Sequence, residues 1–218
     1  LSVDPIFPNL FRYHYDLKID VELAKMIHDE AEEDGLSVRM MENPDFRVDY
    51  GTITSCHLTN PKWDKPLVSI SSNRSVHYYS VEVMQEMMMK LGKATRKAIW
   101  KSGKKAVVIS SNSLSHRHFV NESEIPEDMS KEHITNHSQY LWDMKMIKMM
   151  KEGKTKELIE MMPEFTEQSV AETDGGALTW MLSSLDYPTY PATIHEYGTI
   201  IGTGNAIATW DTNDEKRK

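Results

Sequence analysis

Cysteine is nearly missing from this sequence, with a single copy, Cys56, among 218 residues. One cysteine excludes a disulfide within the chain and any metal site built from several thiolates. Proteins of oxidising compartments commonly use disulfides, whereas the cytoplasm keeps thiols reduced. The cysteine content therefore predicts a cytoplasmic protein.

Long apolar runs and an excess of positive charge are missing too. No run approaches the roughly 20 apolar residues that a membrane-spanning helix needs, so we expect no membrane segment. Lysine and arginine number 25 against 33 aspartates and glutamates, which gives a formal net charge of −8. Because nucleic-acid surfaces need clustered basic residues, we expect no nucleic-acid partner. A content of 39% hydrophobic and 27% charged residues is typical of a globular protein.

Local patterns in the first half of the chain predict two helices. Asp20 can cap a helix that ends at Gly35, where a left-handed residue is expected. Apolar residues at steps of three and four predict a second, longer helix from about Val81 to Lys101, which Gly103 ends. Continuous apolar runs predict strands at residues 36–40, 67–71 and 106–110.

The order of these elements favours an α/β fold. A strand, a long helix and another strand in succession call for a right-handed crossover between parallel strands. Further helices are predicted after an acidic loop at 121–128, and two closing strands flank a turn-rich stretch; the helices are at 131–151, 156–162 and 177–185, and the strands at 192–197 and 206–210. We predict one domain over residues 1–211, with a mixed, largely parallel central sheet flanked by helices, and a charged tail at 212–218.

The richest candidate site is the polar stretch that follows the predicted strand at 106–110. It contains Ser113, Ser115 and His116. Ligands of open α/β sheets bind at the carboxyl ends of the strands, and histidine exchanges protons near neutral pH. His116 is therefore a candidate acid/base that the serines could orient. The alternative is an ordinary strand-end loop whose serines satisfy backbone groups and whose histidines face solvent.

The Ser-Leu-Ser-His segment at 113–116 resembles a motif of the class III, LigB-type, extradiol ring-cleavage dioxygenases. The segment at 195–206, His-Glu-Tyr-Gly-Thr-Ile-Ile-Gly-Thr-Gly-Asn-Ala, is similar to the end of 2-aminophenol 1,6-dioxygenase α subunits. The resemblance covers nearly the whole chain and implies the LigB-type fold, with its N-terminal strands absent from this sequence. It also implies that His116 is the active-site acid/base, with Ser113, Ser115 and Tyr50 near the substrate.

The same resemblance bears on metal binding, since the family holds Fe(II) through two histidines and one glutamate. Both histidines belong to the N-terminal strands that this sequence lacks. The glutamate precedes a tryptophan, and before Trp180 the chain reads Asp-Gly-Gly-Ala-Leu-Thr at 174–179. Glu172 would fit only if the correspondence shifted along the chain. Tyr50 stands where catalytic members have the histidine of Asp-His-Gly, so the resemblance implies no metal in this chain.

These departures predict the non-catalytic, structural α subunit of a ring-cleaving dioxygenase such as 2-aminophenol 1,6-dioxygenase. His116 would then be vestigial, and Fe(II) and a small aromatic substrate would bind to a catalytic β-type partner subunit in a hetero-oligomer. Two alternatives stay open. The chain is a catalytic Fe(II) dioxygenase whose ligand-bearing N-terminus is absent from this sequence, or it is a binding or scaffold protein that retains the fold.

Overall fold

The structure is a computed structural model that describes residues 17–43, 48–71, 79–118 and 132–213. Contacts divide the chain into two compact units. The first unit comprises residues 1–71 and 94–111, and the second comprises residues 72–93 and 112–218. The predicted acidic loop at 121–128 and residues 214–218 of the predicted tail lie outside the described residues. The prediction of a single domain over 1–211 stays a prediction.

Helix α1 of the first unit, Val21–Glu33, begins and ends where its local sequence predicts. The Asp20 carboxylate accepts a hydrogen bond of 3.1 Å from the Leu23 N–H, which satisfies one of the free donors at the helix start. Gly35 follows the helix at φ +80°, a conformation that costs glycine little. The helix buries Ile27 and Ala31, and the predicted helix is confirmed.

The long predicted helix is confirmed as α3, Val81–Ser102, with Gly103 after it at φ +66°. Its apolar residues recur on one face and are buried; they are Met84, Met88, Leu91, Ala94 and Ala98. The helix belongs to the second unit up to Lys93 and to the first unit from Ala94 onward. Of the helices in the described ranges, none is long and apolar enough to cross a membrane.

The largely parallel central sheet that the sequence predicts is not found among the described residues. Of the predicted strands at 36–40, 67–71 and 106–110, one residue, Leu67, makes an isolated parallel bridge, with Ile19. An apolar run indicates that its side chains favour burial, but a strand also needs a neighbouring strand to complete its backbone hydrogen bonds. The run at 106–110 forms no strand in the described chain, and its Val107 side chain is 86% exposed there.

One helix of the first unit was not predicted. Helix α2, Tyr50–Thr59, begins after Asp49, whose carboxylate accepts hydrogen bonds from the Thr52 N–H and hydroxyl at 3.0 and 2.9 Å. The helix contains a glycine and several β-branched residues, which are weak helix formers, so its sequence does not predict a helix. Capping by Asp49 offsets part of that low propensity.

The second unit carries the helices α4 to α7, whose bounds are His137–Lys151, Thr155–Glu160, Met162–Ser169 and Gly176–Ser184. Helix α4 begins six residues after the predicted start at 131, and Asn136 caps it by accepting a 3.0 Å hydrogen bond from the Gln139 N–H. A short 3₁₀ turn, Glu172–Gly175, separates α6 from α7. The core between these helices holds large apolar side chains that are almost fully buried: Met146, Leu158, Met162, Phe165 and Leu182.

The closing hairpin confirms the two predicted strands around a turn. Strand β1, Thr193–Ile200, pairs antiparallel with β2, Thr203–Thr209, and Ile200 lies opposite Thr203. The two loop residues, Ile201 and Gly202, have φ of 52° and 82°, as tight hairpin turns require. The hairpin places the buried start of β2, Thr203 and Gly204, inside the second unit.

Candidate active site

The start of β2 and the segment around His116 are joined by main-chain hydrogen bonds. The Leu114 N–H donates to the Gly204 carbonyl at 2.8 Å, and the Gly204 N–H donates to the Ser115 carbonyl at 3.0 Å. This pairing resembles one rung of an antiparallel ladder. It fixes the backbone of the residues immediately before His116.

A second set of main-chain bonds holds the other side of this segment. The His116 N–H donates to the Val170 carbonyl at 2.9 Å, and the Glu172 N–H donates to the Leu114 carbonyl at 3.2 Å. Ser115 and Ala171 accordingly form an isolated antiparallel bridge. The segment 113–116 is therefore clamped between β2 and residues 170–172, and we call it the histidine loop.

The His116 ring has polar neighbours at both nitrogens. Nδ1 lies 3.2 Å from the Ser113 hydroxyl and 3.7 Å from the Glu172 carboxylate, while Nε2 lies 3.3 Å from Nε2 of His118. The two imidazoles meet edge to face, with ring centroids 4.7 Å apart. The His116 side chain is 31% exposed, so the ring is held in place and can still meet a small molecule.

Glu172 reaches His116 through a strained stretch of backbone. Val170, Thr173 and Asp174 have φ of 54°, 51° and 53°, in the left-handed region. That region costs L-residues roughly 1–2 kcal/mol each and is an outlier for β-branched side chains such as valine and threonine. Strain of this kind clusters at functional sites. The carboxylate itself accepts a hydrogen bond from the Ser113 N–H, which ties Glu172 to the histidine loop.

Beneath the loop lies a buried carboxylate, Asp143 of α4. It accepts the Ser115 N–H at 3.0 Å, the Ser115 hydroxyl at 2.8 Å and the Tyr197 hydroxyl at 2.8 Å. Burial raises the pKa of Asp143, and the hydrogen bonds from Tyr197 and Ser115 partly oppose that shift. Burial and the neighbouring Asp143 charge raise the pKa of Tyr197. Tyr197 is therefore a donor to Asp143 at neutral pH.

The structure brings together two of the four predicted site residues, Ser113 and His116. Ser115 belongs to the same loop, but it is fully buried and its hydroxyl faces Asp143. Tyr50 is the first residue of α2, half-exposed, and belongs to the first unit. The predicted roles of these four residues stay predictions.

Sequence reasoning did not select Glu172, His118, Asp143 or Tyr197. Glu172 was passed over because of its spacing from Trp180, and the 3₁₀ turn Glu172–Gly175 lies between the two residues. Asp143 and Tyr197 have no local sequence signal, since they meet only through folding. His118 follows His116 by two residues and could have been noticed from that spacing.

The described residues contain no group of three histidine, cysteine or carboxylate side chains placed to hold a metal ion. They do supply one oxygen donor beside an imidazole. The Glu172 side chain is 22% exposed, and oxygen and imidazole donors are those that non-haem Fe(II) uses with two histidines and a carboxylate. Glu172 therefore fits the carboxylate position of such a site, which needs two further ligands.

Comparison with known proteins identifies relatives along nearly the whole chain. A family model described as the catalytic LigB subunit of aromatic ring-opening dioxygenase matches residues 6–204. The 2-aminophenol 1,6-dioxygenase beta subunit of a Pseudomonas species is 52% identical over 210 residues, which are 96% of this chain and 69% of that subunit. The alpha subunit, also from a Pseudomonas species, is 27% identical over 208 residues, 95% of this chain and 73% of that subunit.

A further relative comes from Escherichia coli. The chain is 27% identical to 3,4-dihydroxyphenylacetate 2,3-dioxygenase over 176 residues, which are 81% of this chain and 60% of that enzyme. All three of these relatives are named as dioxygenases of aromatic compounds.

These findings overturn two predictions. The prediction of a non-catalytic α subunit is wrong, because identity to the β subunit is 52% and identity to the α subunit is 27%. The prediction that Fe(II) belongs to a partner and that this chain needs no cofactor is also wrong, because the matching family is described as catalytic. The prediction set Glu172 aside because of its spacing from Trp180, whereas the structure places its carboxylate 3.7 Å from Nδ1 of His116.

Proposed function

The chain belongs to the LigB family of aromatic ring-opening dioxygenases, and on that basis we propose that it is a catalytic, Fe(II)-dependent subunit. The observation that carries the proposal is the pairing of His116 with Glu172 at 3.7 Å on a clamped, partly exposed loop. Such a pair offers an acid/base and an oxygen ligand at one place.

We propose an aromatic substrate with neighbouring hydroxyl and amino groups, as in 2-aminophenol. The support is 52% identity to a β subunit that is named for this substrate. Since that protein and the α-subunit relative carry the names of two kinds of subunit, we also propose a hetero-oligomer with a second, related subunit. The single cysteine supports a cytoplasmic location. We also propose that residues 1–211 form one LigB-type domain.

Glu172 is the proposed carboxylate ligand of the iron. The chain spans 69% of the length of the β subunit, and we propose that two histidine ligands come from a part of the protein outside this sequence. When bound in this way, Fe(II) supplies open coordination positions for the aromatic substrate and O₂. The hydrogen bond from the Ser113 N–H orients the Glu172 carboxylate.

His116 is the proposed acid/base. Its imidazole accepts the proton of the substrate hydroxyl and can return it later in the reaction. The Ser113 hydroxyl orients Nδ1, and the exposed His118 connects Nε2 to solvent at 3.3 Å. Ser115 supports the loop from within, and Tyr50 stays a candidate substrate contact.

The experiment is 2-aminophenol ring cleavage by the full-length protein with its partner subunit, comparing wild type, His116→Ala and His195→Ala. His195 is exposed on β1 and bonded to Thr209 at 2.9 Å, so it is a matched control for histidine removal. We expect His116→Ala to lower kcat by about 10²–10⁴-fold, the usual contribution of a general acid/base. His195→Ala should leave kcat unchanged. A wild-type kcat in His116→Ala would refute the proposed role.

A further inference from the structure

Asp143 places a carboxyl group in the interior of the second unit. It is fully buried on α4, and the ion pairs of the described residues include none for it. Burying a carboxylate is costly unless it is well hydrogen-bonded, and an apolar residue of similar volume often stabilises a core at least as well. Its presence therefore calls for a role other than filling space.

The hydrogen bonds of Asp143 converge on one residue of the histidine loop. Both the N–H and the hydroxyl of Ser115 donate to it, at 3.0 and 2.8 Å, and the Tyr197 hydroxyl donates at 2.8 Å. Two bonds to the backbone and side chain of the same residue fix its rotation as well as its position. Because Ser115 is directly followed by His116, a fixed Ser115 limits the directions that the imidazole can take.

Strand β2, on the other side of the histidine loop, lies very close to the Asp143 carboxylate at Gly204. A Cβ added at Gly204 would lie 1.8 Å from Oδ2 of Asp143, so only glycine allows β2 to come this close. The Gly204 N–H lies 3.2 Å from the Ser115 hydroxyl as well as pairing with the Ser115 carbonyl. Asp143, Ser115, Tyr197 and Gly204 thus form one connected network below the loop.

We propose that Asp143 is a positioning residue for the ring-cleavage reaction, which holds His116 in its working orientation through Ser115 with the help of Tyr197. This inference rests on the proposed role of His116. Ser115, which the network holds, is joined to His116 by a peptide bond, so a small rotation of Ser115 moves the His116 imidazole. Misplacement of a reacting group by about 1 Å can lower a rate by about 10²-fold.

The test uses Asp143→Asn and Tyr197→Phe in the full-length protein with its partner subunit. Thr155→Val is the matched control, because Thr155 is 1% exposed in the same unit and its hydroxyl donates to the Pro188 carbonyl at 3.0 Å. For each variant we would measure kcat and KM, the iron content and the unfolding midpoint. The histidine ring signals would be recorded by NMR on ¹⁵N-histidine-labelled, iron-free protein, with His116→Ala to assign them.

We expect Asp143→Asn to lower kcat by about 10²-fold with iron content and KM close to wild type. The His116 ring signals should shift in Asp143→Asn and, to a smaller degree, in Tyr197→Phe. Thr155→Val should lose a similar amount of stability without changing kcat or those signals. Should Asp143→Asn fail to fold, Tyr197→Phe still tests the network, because it removes a single hydroxyl.

The outcomes separate this inference from the proposed function. Unchanged kcat and unchanged His116 signals in both variants, with His116→Ala inactive, would overturn the positioning role alone. If His116→Ala stayed active and the His116 ring signals still shifted in Asp143→Asn, the catalytic role of His116 would be overturned. The geometric link between Asp143 and His116 would then still stand. Equal losses of kcat in Asp143→Asn and Thr155→Val would assign the effect to stability and overturn the inference.

Discussion

Asp143 gives the protein a specific dependence of stability on pH. Burial raises the pKa of its carboxyl above the ordinary value of 3.8, so the folded state keeps a proton that the unfolded state releases. The contribution of this group to stability is fully present below the ordinary pKa. It is lost as pH rises through the raised pKa of the folded state.

We therefore expect the unfolding free energy of the wild type, relative to Asp143→Asn, to decrease as pH rises from about 4 toward 7. Asparagine carries no titrating proton and removes this term. Urea unfolding of both proteins at several pH values measures the difference. A difference that stays constant over that range would show that Asp143 has an ordinary pKa.

At the residue scale, the sequence predicted the part of the site that is local. Ser113 and His116 belong to one short motif, and they meet in the structure at 3.2 Å. Glu172 lies 59 residues from Ser113 along the chain. Its approach to the histidine loop depends on residues in the left-handed conformation, which no sequence pattern predicts. Asp143 likewise meets Ser115 across 28 residues through the packing of α4.

At the scale of elements, α7 and the part of α3 that belongs to the second unit approach closely at Gly92. A Cβ added there would lie 2.5 Å from both the Ser183 Cβ and the Trp180 carbonyl oxygen. The Ser183 hydroxyl also donates to the Met89 carbonyl at 2.7 Å, which fastens one helix to the other. Glycine at this position therefore serves packing, although it weakens the helix itself.

Gly92→Ala should destabilise the protein by about 1–3 kcal/mol, the usual cost of overpacking. In an exposed helix the same change would stabilise by about 1 kcal/mol, so the sign is informative. Gly198→Ala on β1 is the control, because nothing lies within 4 Å of its added Cβ. Thermal or urea unfolding measures both. A more stable Gly92→Ala protein would mean that the two helices are not packed this closely.

Elements whose signals are local were predictable, and those that need a partner were not. Asp20 and Gly35 bound α1, and Ile201 with Gly202 turns the hairpin, all within a few residues. The runs at 67–71 and 106–110 look like buried strands, yet the described residues offer them no ladder. Strand pairing depends on another part of the chain, which an apolar run by itself does not specify.

At the scale of the whole molecule, composition and motif predicted the family but not the kind of subunit. The Ser-Leu-Ser-His motif and the closing hairpin fit the ring-opening dioxygenases, and the family match over residues 6–204 confirms that resemblance. The choice between subunits was made from the spacing of Glu172 from Trp180. The approach of Glu172 to His116 follows from the folded backbone at 170–175 and not from spacing along the chain.

We propose that this chain carries iron through Glu172, and the iron content of Glu172→Gln tests that role. The amide keeps the size of the side chain but loses the negative charge that favours a metal. Glu167→Gln is the control, since Glu167 is an exposed carboxylate of the neighbouring α6. We predict that the full-length wild type and Glu167→Gln bind iron and cleave 2-aminophenol, whereas Glu172→Gln loses most of its iron and its activity. Wild-type iron content in Glu172→Gln would show that Glu172 is not an iron ligand.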